Sequence, residues 1–267
     1  MRFYRFESPN GTVAYATETP DGTLVELDGT PLGDFSVTDR VADVGRLLAP
    51  IAPPVIYGIG LNYRRHAAES NMAVPERPVV FFKAVSALQN PDAPIELPTR
   101  LASNEVDYEV ELAVVIGKAC KNVTREKALD YVLGYTVAND VSARDWQIRL
   151  GGGQWSRGKT FDTFCPLGPC IVTLDEFDDP NALPLRTRLN GETVQNSNTS
   201  DLIFDVASVV AFLSGSTTLL PGTVILTGTP EGVGMAASPP RWLRPGDVVE
   251  CEIDGIGTLR NPVVAEG

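Results

Sequence analysis

Apolar and polar residues alternate with a period of two over much of the chain, the pattern typical of half-buried β-strands. Three such stretches in the first 37 residues are separated by the turn-forming sequences SPNG and TPDG, and they predict a short β-meander. Asn190-Gly191 and Asp254-Gly255 each lie between two strand-like stretches and predict hairpins. Further strands are predicted at VIYGIG, VVFFKAV, VELAVVIG, YTVAND, CIVTL, TVILTG and VVECEI.

Helical periodicity is confined to a few segments. In TDRVADVGRLL the apolar residues recur at helical spacing after Thr38, which predicts a helix with Thr38 as its N-cap. DLIFDVASVVAFL predicts a helix that is capped by Ser200 or Asp201. The remaining helices are predicted at TREKALDYVL and ARDWQIRL. Strands and helices do not alternate regularly, so the pattern predicts a mainly β fold with a few helices (α+β) rather than a doubly wound parallel sheet.

A proline-rich sequence, APIAPP at residues 49–54, separates the N-terminal strands from the rest of the chain. We therefore expect a small β-rich domain over residues 1–50 and a larger domain over residues 55–267. The 267 residues, 43% of them hydrophobic, are sufficient for one large core.

The net charge of −12 disfavours nucleic acid and anionic membranes as partners, because both repel an acidic surface. We expect no transmembrane segment and no signal peptide, since the apolar runs are short. The four cysteines form no CxxC pair and there is a single histidine, so a thiolate zinc site and a disulfide framework are not expected. These features predict a cytoplasmic protein with reduced cysteines.

The segment NEVDYEVELAVVIGK places Glu105, Asp107, Glu109 and Glu111 on one face of a predicted strand. One interpretation is an exposed acidic face, with the first two residues solvated. However, the apolar continuation of the strand suggests that Glu109 and Glu111 lie near the core. Asp140 ends another predicted strand, and three carboxylates without cysteine or histidine would form an all-oxygen site that suits Mg²⁺, Mn²⁺ or Ca²⁺.

Four polar residues in three other segments could contribute chemistry. His66 and Glu69 are spaced i, i+3, so a helical turn would let the carboxylate orient a general base, although a structural pair is the simpler interpretation. Their polar surroundings indicate a surface segment or a lid. Lys159 could bind an anion if it is buried, but its local sequence favours an exposed loop. Thr229, in the glycine-rich sequence TGTPEGVG, could contact a carboxylate.

Taken together, several motifs resemble those of the fumarylacetoacetate hydrolase family, in the branch that contains bacterial acylpyruvases and 2-hydroxyhepta-2,4-diene-1,7-dioate isomerases. They occur in the family's order from about residue 55 to the C-terminus. The motifs are YGIGLNYRRHAAE, FFKAVSAL, DYEVELAVVIGK, YTVANDVSARDWQ, WSRGKTFDTFCPLGP, LNGETVQNSNTSDLIF and LTGTPEGVG. The resemblance implies a mixed β-roll for the catalytic domain, and a homodimer.

The resemblance also implies the roles of the site residues. The resemblance implies that Glu109, Glu111 and Asp140 would hold Mg²⁺, or alternatively Mn²⁺. His66 and Glu69 would form a catalytic dyad on a lid, and Lys159 would stabilise developing negative charge. The residues implied to face the substrate are Arg144, Gln147 and Thr229.

The function implied in the first place is hydrolysis of a C–C bond in 2,4-dioxo acids of the acylpyruvate type, through an enolate and a water molecule activated by the His–Glu dyad. The substrate would be a small 2-oxo or dioxo carboxylic acid. The alternatives are a decarboxylase of oxaloacetate type and an isomerase or decarboxylase of 2-hydroxyhepta-2,4-diene-1,7-dioate-type dicarboxylates. A protein of a different class, which binds carboxylates through a metal without turnover, would not need His66, Glu69 and Lys159 together. A dinucleotide-dependent oxidoreductase is disfavoured by the fold pattern.

Overall fold

The computed structural model describes residues 1–267 and confirms a mainly β protein with a few short helices. The strands are β1 Arg2–Glu7, β2 Val13–Glu18, β3 Leu24–Gly29, β4 Phe35–Val41, β5 Arg46–Leu48, β6 Ile56–Gly60, β7 Val79–Lys83, β8 Leu88–Gln89, β9 Ile95–Leu97, β10 Val106–Asp107, β11 Val110–Ile116, β12 Val132–Asn139, β13 Ser142–Ala143, β14 Cys165–Thr173, β15 Pro184–Leu189, β16 Glu192–Asn198, β17 Val224–Leu226, β18 Val248–Ile253 and β19 Gly257–Ala265.

The α-helices are all short: α1 Arg64–Glu69, α2 Ser156–Lys159 and α3 Val206–Ser214. A π-helix spans Trp146–Leu150. The 3-10 helices are Val85–Ala87, Arg125–Tyr131, Leu174–Glu176, Pro180–Ala182, Thr199–Asp201 and Gly234–Ala236. No helix of the structure combines the length and the apolar character that crossing a membrane requires.

A large mixed sheet runs through the molecule in the order β4-β3-β2-β1-β14-β12-β11-β17-β6-β7, with β5 paired to β1 and β8 paired to β14. Most neighbours are antiparallel, but β17 and β6 are parallel. A second sheet has the order β16-β15-β18-β19-β9, and β10 pairs with β13 alone. The central strand β11 is buried at every residue, including Glu111, and the apolar run at residues 113–116 predicts this burial for its second half.

The N-terminal strands are continuous with the large sheet, because β1 pairs with β14 at Arg2–Val172 and Phe3–Ile171. Phe3 and Leu27 belong to the same apolar core as the central strands. Residues 1–50 therefore share their core with the remainder of the chain, and their description as a separate domain stays a prediction.

The prediction of a helix after Thr38 is wrong, because the segment forms parts of β4 and β5 instead. β4 pairs with β3 at Val25–Val41 and Leu27–Val37, and β5 pairs with β1. Val37 and Val41 are β-branched, and β4 is an edge strand of the large sheet. Pairing with residues distant in sequence thus outweighs the local helical spacing.

The other three predicted segments are helical, but their bounds or helix types differ from the prediction. The helix predicted at DLIFDVASVVAFL begins at Val206, and its N-cap is Asp205, which accepts a hydrogen bond from the Ser208 N–H at 2.8 Å. Neither Ser200 nor Asp201 caps it, since both lie in a separate 3-10 helix. The TREKALDYVL and ARDWQIRL segments form a 3-10 helix and a π-helix, respectively.

Both predicted hairpins are confirmed. Asn190 and Gly191 have φ angles of 53° and 83° and join β15 to β16 in a two-residue turn. Asp254 and Gly255 lie in the connection between the antiparallel strands β18 and β19.

Candidate functional site

Glu109, Glu111 and Asp140 are brought together by the pairing of β11 with β12. Val110 lies opposite Asn139, and the Asp140 N–H donates to the Glu109 carbonyl at 2.9 Å. One carboxylate oxygen from each residue lies within 4.8 Å of the others, and all three side chains are buried. The predicted continuous acidic strand is interrupted at residues 108–109, between β10 and β11. Glu109 lies within this interruption, and Glu111 is the second residue of β11.

Lys159 lies inside this cluster, with its Nζ 2.6 Å from Glu109 Oε2 and 2.6 Å from Asp140 Oδ2. The local sequence of Lys159 favoured an exposed loop, and this prediction is wrong because the residue is only 2% exposed. Burial alone would lower the pKa of Lys159, but Asp140 and Glu109 outweigh it and raise the pKa. Lys159 is therefore a buried ammonium group at the end of α2.

Lys83 is a second buried lysine in the cluster, and it is not among the residues predicted for the site from the sequence. Its Nζ donates to Asp140 Oδ1 and, at 3.1 Å, to the Val141 carbonyl. Asp140 therefore has a different lysine on each carboxylate oxygen. The available signal was a lone charge in the apolar run VVFFK at the end of β7.

Glu111 differs from its neighbours because no cation contacts it. Its Oε2 accepts one hydrogen bond, from the Gly228 N–H at 2.6 Å. Gly228 has a φ of 103°, and a Cβ at this position would lie 2.7 Å from the Asn62 Cβ. Burial, reinforced by Asp140 and Glu109, raises the pKa of Glu111 well above its usual value.

The buried cluster carries more carboxylates than cationic side chains, so a bound cation would balance its charge. Four carboxylates face three cationic side chains, all of them less than 5% exposed: Asp107, Glu109, Glu111 and Asp140 against Lys83, Arg144 and Lys159. Glu111 has no partner among these cations. The donors are all oxygens, which suits a hard divalent ion such as Mg²⁺ or Mn²⁺. The residues present therefore fit a divalent metal ion held by Glu109, Glu111 and Asp140.

Asp107 is not solvated, contrary to the sequence-based interpretation. It is completely buried and accepts hydrogen bonds from Arg144 Nε at 2.9 Å and from the N–H groups of Gly234 and Met235 at 2.7 and 3.0 Å. Arg144 Nη2 also lies 2.7 Å from Glu109 Oε1, and its Nη1 donates to Gln147 Oε1 at 3.0 Å. Burial would raise the pKa of Glu109, but Arg144 and Lys159 hold it well below its usual range.

His66 and Glu69 form the expected pair on α1, with His66 Nδ1 2.8 Å from Glu69 Oε1. Glu69 also accepts a hydrogen bond from the Gly232 N–H at 3.0 Å. A proton on Nδ1 satisfies this contact and leaves Nε2 as the basic nitrogen of the ring. His66 is 8% exposed, so in this structure it is a buried side chain rather than a surface one.

Thr229 lies on the loop that follows β17, and a buried glutamine fixes its hydroxyl group. Thr229 Oγ1 donates to the Val110 carbonyl at 3.0 Å and accepts from Gln195 Nε2 at 2.9 Å. Gln195 Oε1 accepts in turn from the Val110 N–H at 3.0 Å. Gln195 therefore links the Thr229 loop to β11 beside the carboxylates through hydrogen bonds. It is not among the residues predicted for the site from the sequence.

A cavity of about 420 Å³ opens onto these groups. Its polar lining comprises His66, Glu69, Ser70, Glu109, Glu111, Arg144, Gln147, Lys159 and Thr229. Eight of the nine residues predicted for the site thus line one cavity, and Asp140 lies behind it against the two lysines.

The chain belongs to the fumarylacetoacetate hydrolase family, which confirms the resemblance. Residues 55–264 match the family described as fumarylacetoacetate (FAA) hydrolase C-terminal, and residues 1–50 match the family described as Rv2993c-like, N-terminal. The chain is 54% identical over 219 residues to the oxaloacetate tautomerase fahd2, mitochondrial, of Xenopus laevis, covering 82% of this chain and 68% of that protein. It is 49% identical over 218 residues to the human oxaloacetate tautomerase FAHD2A, mitochondrial, covering 81% and 69%.

Solved structures of the family have the same fold. A 5-carboxymethyl-2-hydroxymuconate delta-isomerase from Mycobacterium smegmatis superposes with a TM-score of 0.86 at 45% identity, covering both chains completely. A 2-hydroxyhepta-2,4-diene-1,7-dioate isomerase from Mycobacterium marinum gives a TM-score of 0.85 at 43% identity, covering 100% of this chain and 99% of that one. These relationships support an enzyme, and the names of the relatives agree better with the isomerase and oxaloacetate alternatives than with acylpyruvate hydrolysis.

Proposed function

We propose that this protein is a divalent-metal-dependent enzyme that interconverts the keto and enol forms of oxaloacetate or a closely related 2-oxo acid. The observation that carries the proposal is the buried Lys159 ammonium beside three carboxylates at the base of a cavity. With a divalent ion held by the carboxylates, such a site would place positive charge where an enolate needs it. The printed names of the most similar curated relatives support oxaloacetate as the substrate.

Glu109, Glu111 and Asp140 would hold the ion. A bound Mg²⁺ or Mn²⁺ supplies a Lewis acid that stabilises negative charge on substrate oxygens. Lys159 has a fixed position because two carboxylates hold its ammonium group. It contributes a preorganised charge to the 2-oxo oxygen, which becomes negative as the enolate forms.

Arg144 and Gln147 would orient a substrate carboxylate. Both side chains line the cavity, and the guanidinium group is held from behind by Asp107. An arginine fixed in this way can bind a carboxylate without first losing side-chain freedom. Thr229 would face the substrate from the opposite loop, with its hydroxyl held by Gln195.

His66 would move the proton. With Nδ1 donating to Glu69, the Nε2 lone pair accepts the proton from C3 of the keto form, and the imidazolium then returns this proton to the 2-oxo oxygen to complete the enol. The reverse sequence converts the enol to the keto form. This isomerisation consumes no water and breaks no C–C bond, so it requires only the charged and basic groups described.

C–C hydrolysis is the second candidate, and the same dyad favours it. A histidine oriented by a glutamate can activate a water molecule as readily as it accepts a proton from carbon. Decarboxylation of oxaloacetate would use the same enolate stabilisation.

The three reactions give different products by NMR. Purified protein would be incubated with oxaloacetate and, separately, with acetylpyruvate, in Mg²⁺ and in EDTA. The proposal requires faster keto–enol exchange of oxaloacetate in Mg²⁺, with no excess of pyruvate over an enzyme-free control. Acetate plus pyruvate from acetylpyruvate would establish hydrolysis, and pyruvate from oxaloacetate would establish decarboxylation.

A further inference from the structure

The helix that carries Lys159 is too short to fix its own position. α2 comprises four residues, Ser156–Lys159, and no side chain caps its N-terminus. A single helical turn has little intrinsic stability, because ordering its backbone costs more than its few hydrogen bonds return. Contacts with neighbouring elements must therefore place α2, and with it the Lys159 ammonium group.

Two hydroxyl groups attach α2 to the outer edge of the large sheet. β7 is the last strand of that sheet, so the N–H groups on its free edge have no strand to pair with. Ser156 Oγ accepts a hydrogen bond from the Phe82 N–H at 3.2 Å. Thr160 Oγ1 accepts one from the Ala84 N–H, also at 3.2 Å. The two hydroxyls lie on either side of Lys159 in the sequence, and they take the place of a neighbouring strand at residues 82 and 84.

A second surface of α2 packs directly against backbone. A Cβ at Gly158 would lie 2.5 Å from the Gln147 nitrogen and 2.6 Å from the Ala143 carbonyl oxygen. Only glycine therefore allows the helix to lie this close to β13 and the π-helix. Backbone atoms cannot change rotamer to follow a displaced helix, as a flexible side chain could. α2 is thus packed against backbone at Gly158 and joined to β7 by the two hydroxyls.

β7 also carries Lys83, so both lysines of the cluster depend on this strand. Lys83 Nζ donates to Asp140 Oδ1, and Lys159 Nζ donates to Asp140 Oδ2. Lys83 reaches the carboxylate directly from β7, whereas Lys159 reaches it from the helix that the hydroxyls attach to the same strand. The relative positions of the two ammonium groups on Asp140 therefore depend on the hydrogen bonds that Ser156 and Thr160 accept from β7 and the residue after it.

We propose that Ser156 and Thr160 are positioning residues for Lys159, because they fix the helix that carries its ammonium group. This role rests on the proposed function, in which Lys159 acts on the 2-oxo oxygen. Neither hydroxyl lines the cavity of the site, so both act through the lysine rather than on the substrate. A displacement of about 1 Å at a catalytic group can lower a rate by about 100-fold. Removal of both hydroxyls should therefore lower kcat, while Arg144 and Gln147 still bind the substrate.

Paired variants separate the hydroxyl groups from the shape of the side chains. Thr160→Val removes the oxygen at nearly constant volume, whereas Thr160→Ser retains it and should keep the wild-type kcat. The double variant Ser156→Ala/Thr160→Val should lower kcat for oxaloacetate at saturating Mg²⁺ by at least about tenfold and change KM by less than about threefold. Thr163→Val is the control and should keep the wild-type kcat, because Thr163 Oγ1 accepts the Glu96 N–H at 2.8 Å and so bonds to β9 instead of β7. Equal losses of kcat in the double variant and in Thr163→Val would overturn the proposal.

Crystal structures measure the position of Lys159 independently of turnover. The wild-type ammonium group lies 2.6 Å from both Glu109 Oε2 and Asp140 Oδ2. In the double variant it should be displaced by at least about 0.5 Å, the tolerance of a catalytic group. If the double variant does not fold, Thr160→Val is compared with Thr160→Ser in both measurements. An unchanged Lys159 position, or an unchanged kcat despite a displaced lysine, overturns the positioning role. A displaced lysine in a protein whose wild type does not tautomerise oxaloacetate supports that role and overturns only the proposed reaction.

Discussion

Asp107 and Arg144 form a buried ion pair, with Asp107 Oδ2 2.9 Å from Arg144 Nε and 2.8 Å from Nη2. The same carboxylate accepts hydrogen bonds from the N–H groups of Gly234 and Met235. A Cβ on Gly234 would lie 1.9 Å from the Arg241 carbonyl oxygen, so the loop passes this point without room for a side chain. Asp107 therefore couples the position of Arg144 to that of the loop that carries Met235 into the cavity lining.

Asp107→Asn should destabilise the protein by about 3–5 kcal/mol, because it leaves the buried Arg144 charge incompletely paired. It should also raise KM for a 2-oxo acid more than it lowers kcat, since Arg144 would no longer be held in place. Denaturant unfolding and steady-state kinetics measure the two effects. Glu105→Gln is the control, because Glu105 pairs with the exposed Arg149 and should lose no more than about 1 kcal/mol. Similar losses in both variants would refute the coupling.

Lys83→Met should destabilise the metal-free protein by about 3–5 kcal/mol, because Asp140 would keep a buried charge with one lysine instead of two. Unfolding in EDTA measures this loss. Addition of Mg²⁺ should recover part of the loss, since the ion supplies positive charge to the same carboxylate. Lys118→Met provides the comparison, as Lys118 is exposed. An unchanged stability of Lys83→Met would show that Lys83 does not compensate Asp140.

Glu111→Gln should weaken Mg²⁺ binding by more than about 100-fold without destabilising the metal-free protein. Loss of even an outer partner of a metal ligand typically costs about 10–100-fold. Glu111 has no cationic partner, so neutralising it leaves no cation uncompensated. Glu109→Gln, in contrast, removes one of the two carboxylates that pair with Lys159 and with Arg144 and should destabilise the protein even in EDTA. Calorimetric titration and thermal unfolding measure both properties, and wild-type Mg²⁺ affinity in both variants would exclude the metal site.

His66→Ala should lower kcat by about 10²–10⁴-fold, the usual contribution of a general base, and leave Mg²⁺ affinity within a few-fold of wild type. His66 is hydrogen-bonded to Glu69, which is not one of the proposed metal ligands. The separation of turnover from metal binding distinguishes an enzyme from a carboxylate-binding protein without turnover. Full activity in this variant would remove the dyad from the mechanism.

The sequence located the main parts of the site because their spacing follows local geometry. Glu109 directly precedes the buried strand β11, Glu111 is its second residue, and Asp140 directly follows β12. Antiparallel pairing of these two strands brings the three carboxylates together. His66 and Glu69 meet through a single helical turn. These relationships are short-range or follow from two adjacent strands.

The parts that were missed depend on contacts between residues distant in sequence. Lys83 meets Asp140 across 57 residues, and Asp107 meets Arg144 across 37 residues. Nothing local distinguishes Asp107 from the half-exposed Glu105, although both lie in the same alternating run. The helix prediction after Thr38 was wrong for the same reason, because the segment forms strands that pair with β3 and β1.

Stopped-flow absorbance of the enol measures metal-dependent tautomerisation of oxaloacetate directly. Relaxation from the enol to the keto form would be followed at increasing Mg²⁺ for the wild type and for Glu111→Gln, with enzyme-free Mg²⁺ subtracted. We expect that the wild-type rate rises with Mg²⁺ and is abolished by EDTA, and that the Glu111→Gln rate is close to the enzyme-free rate. A wild-type rate that does not respond to Mg²⁺ or EDTA, or that never exceeds the enzyme-free rate, would contradict the proposed function.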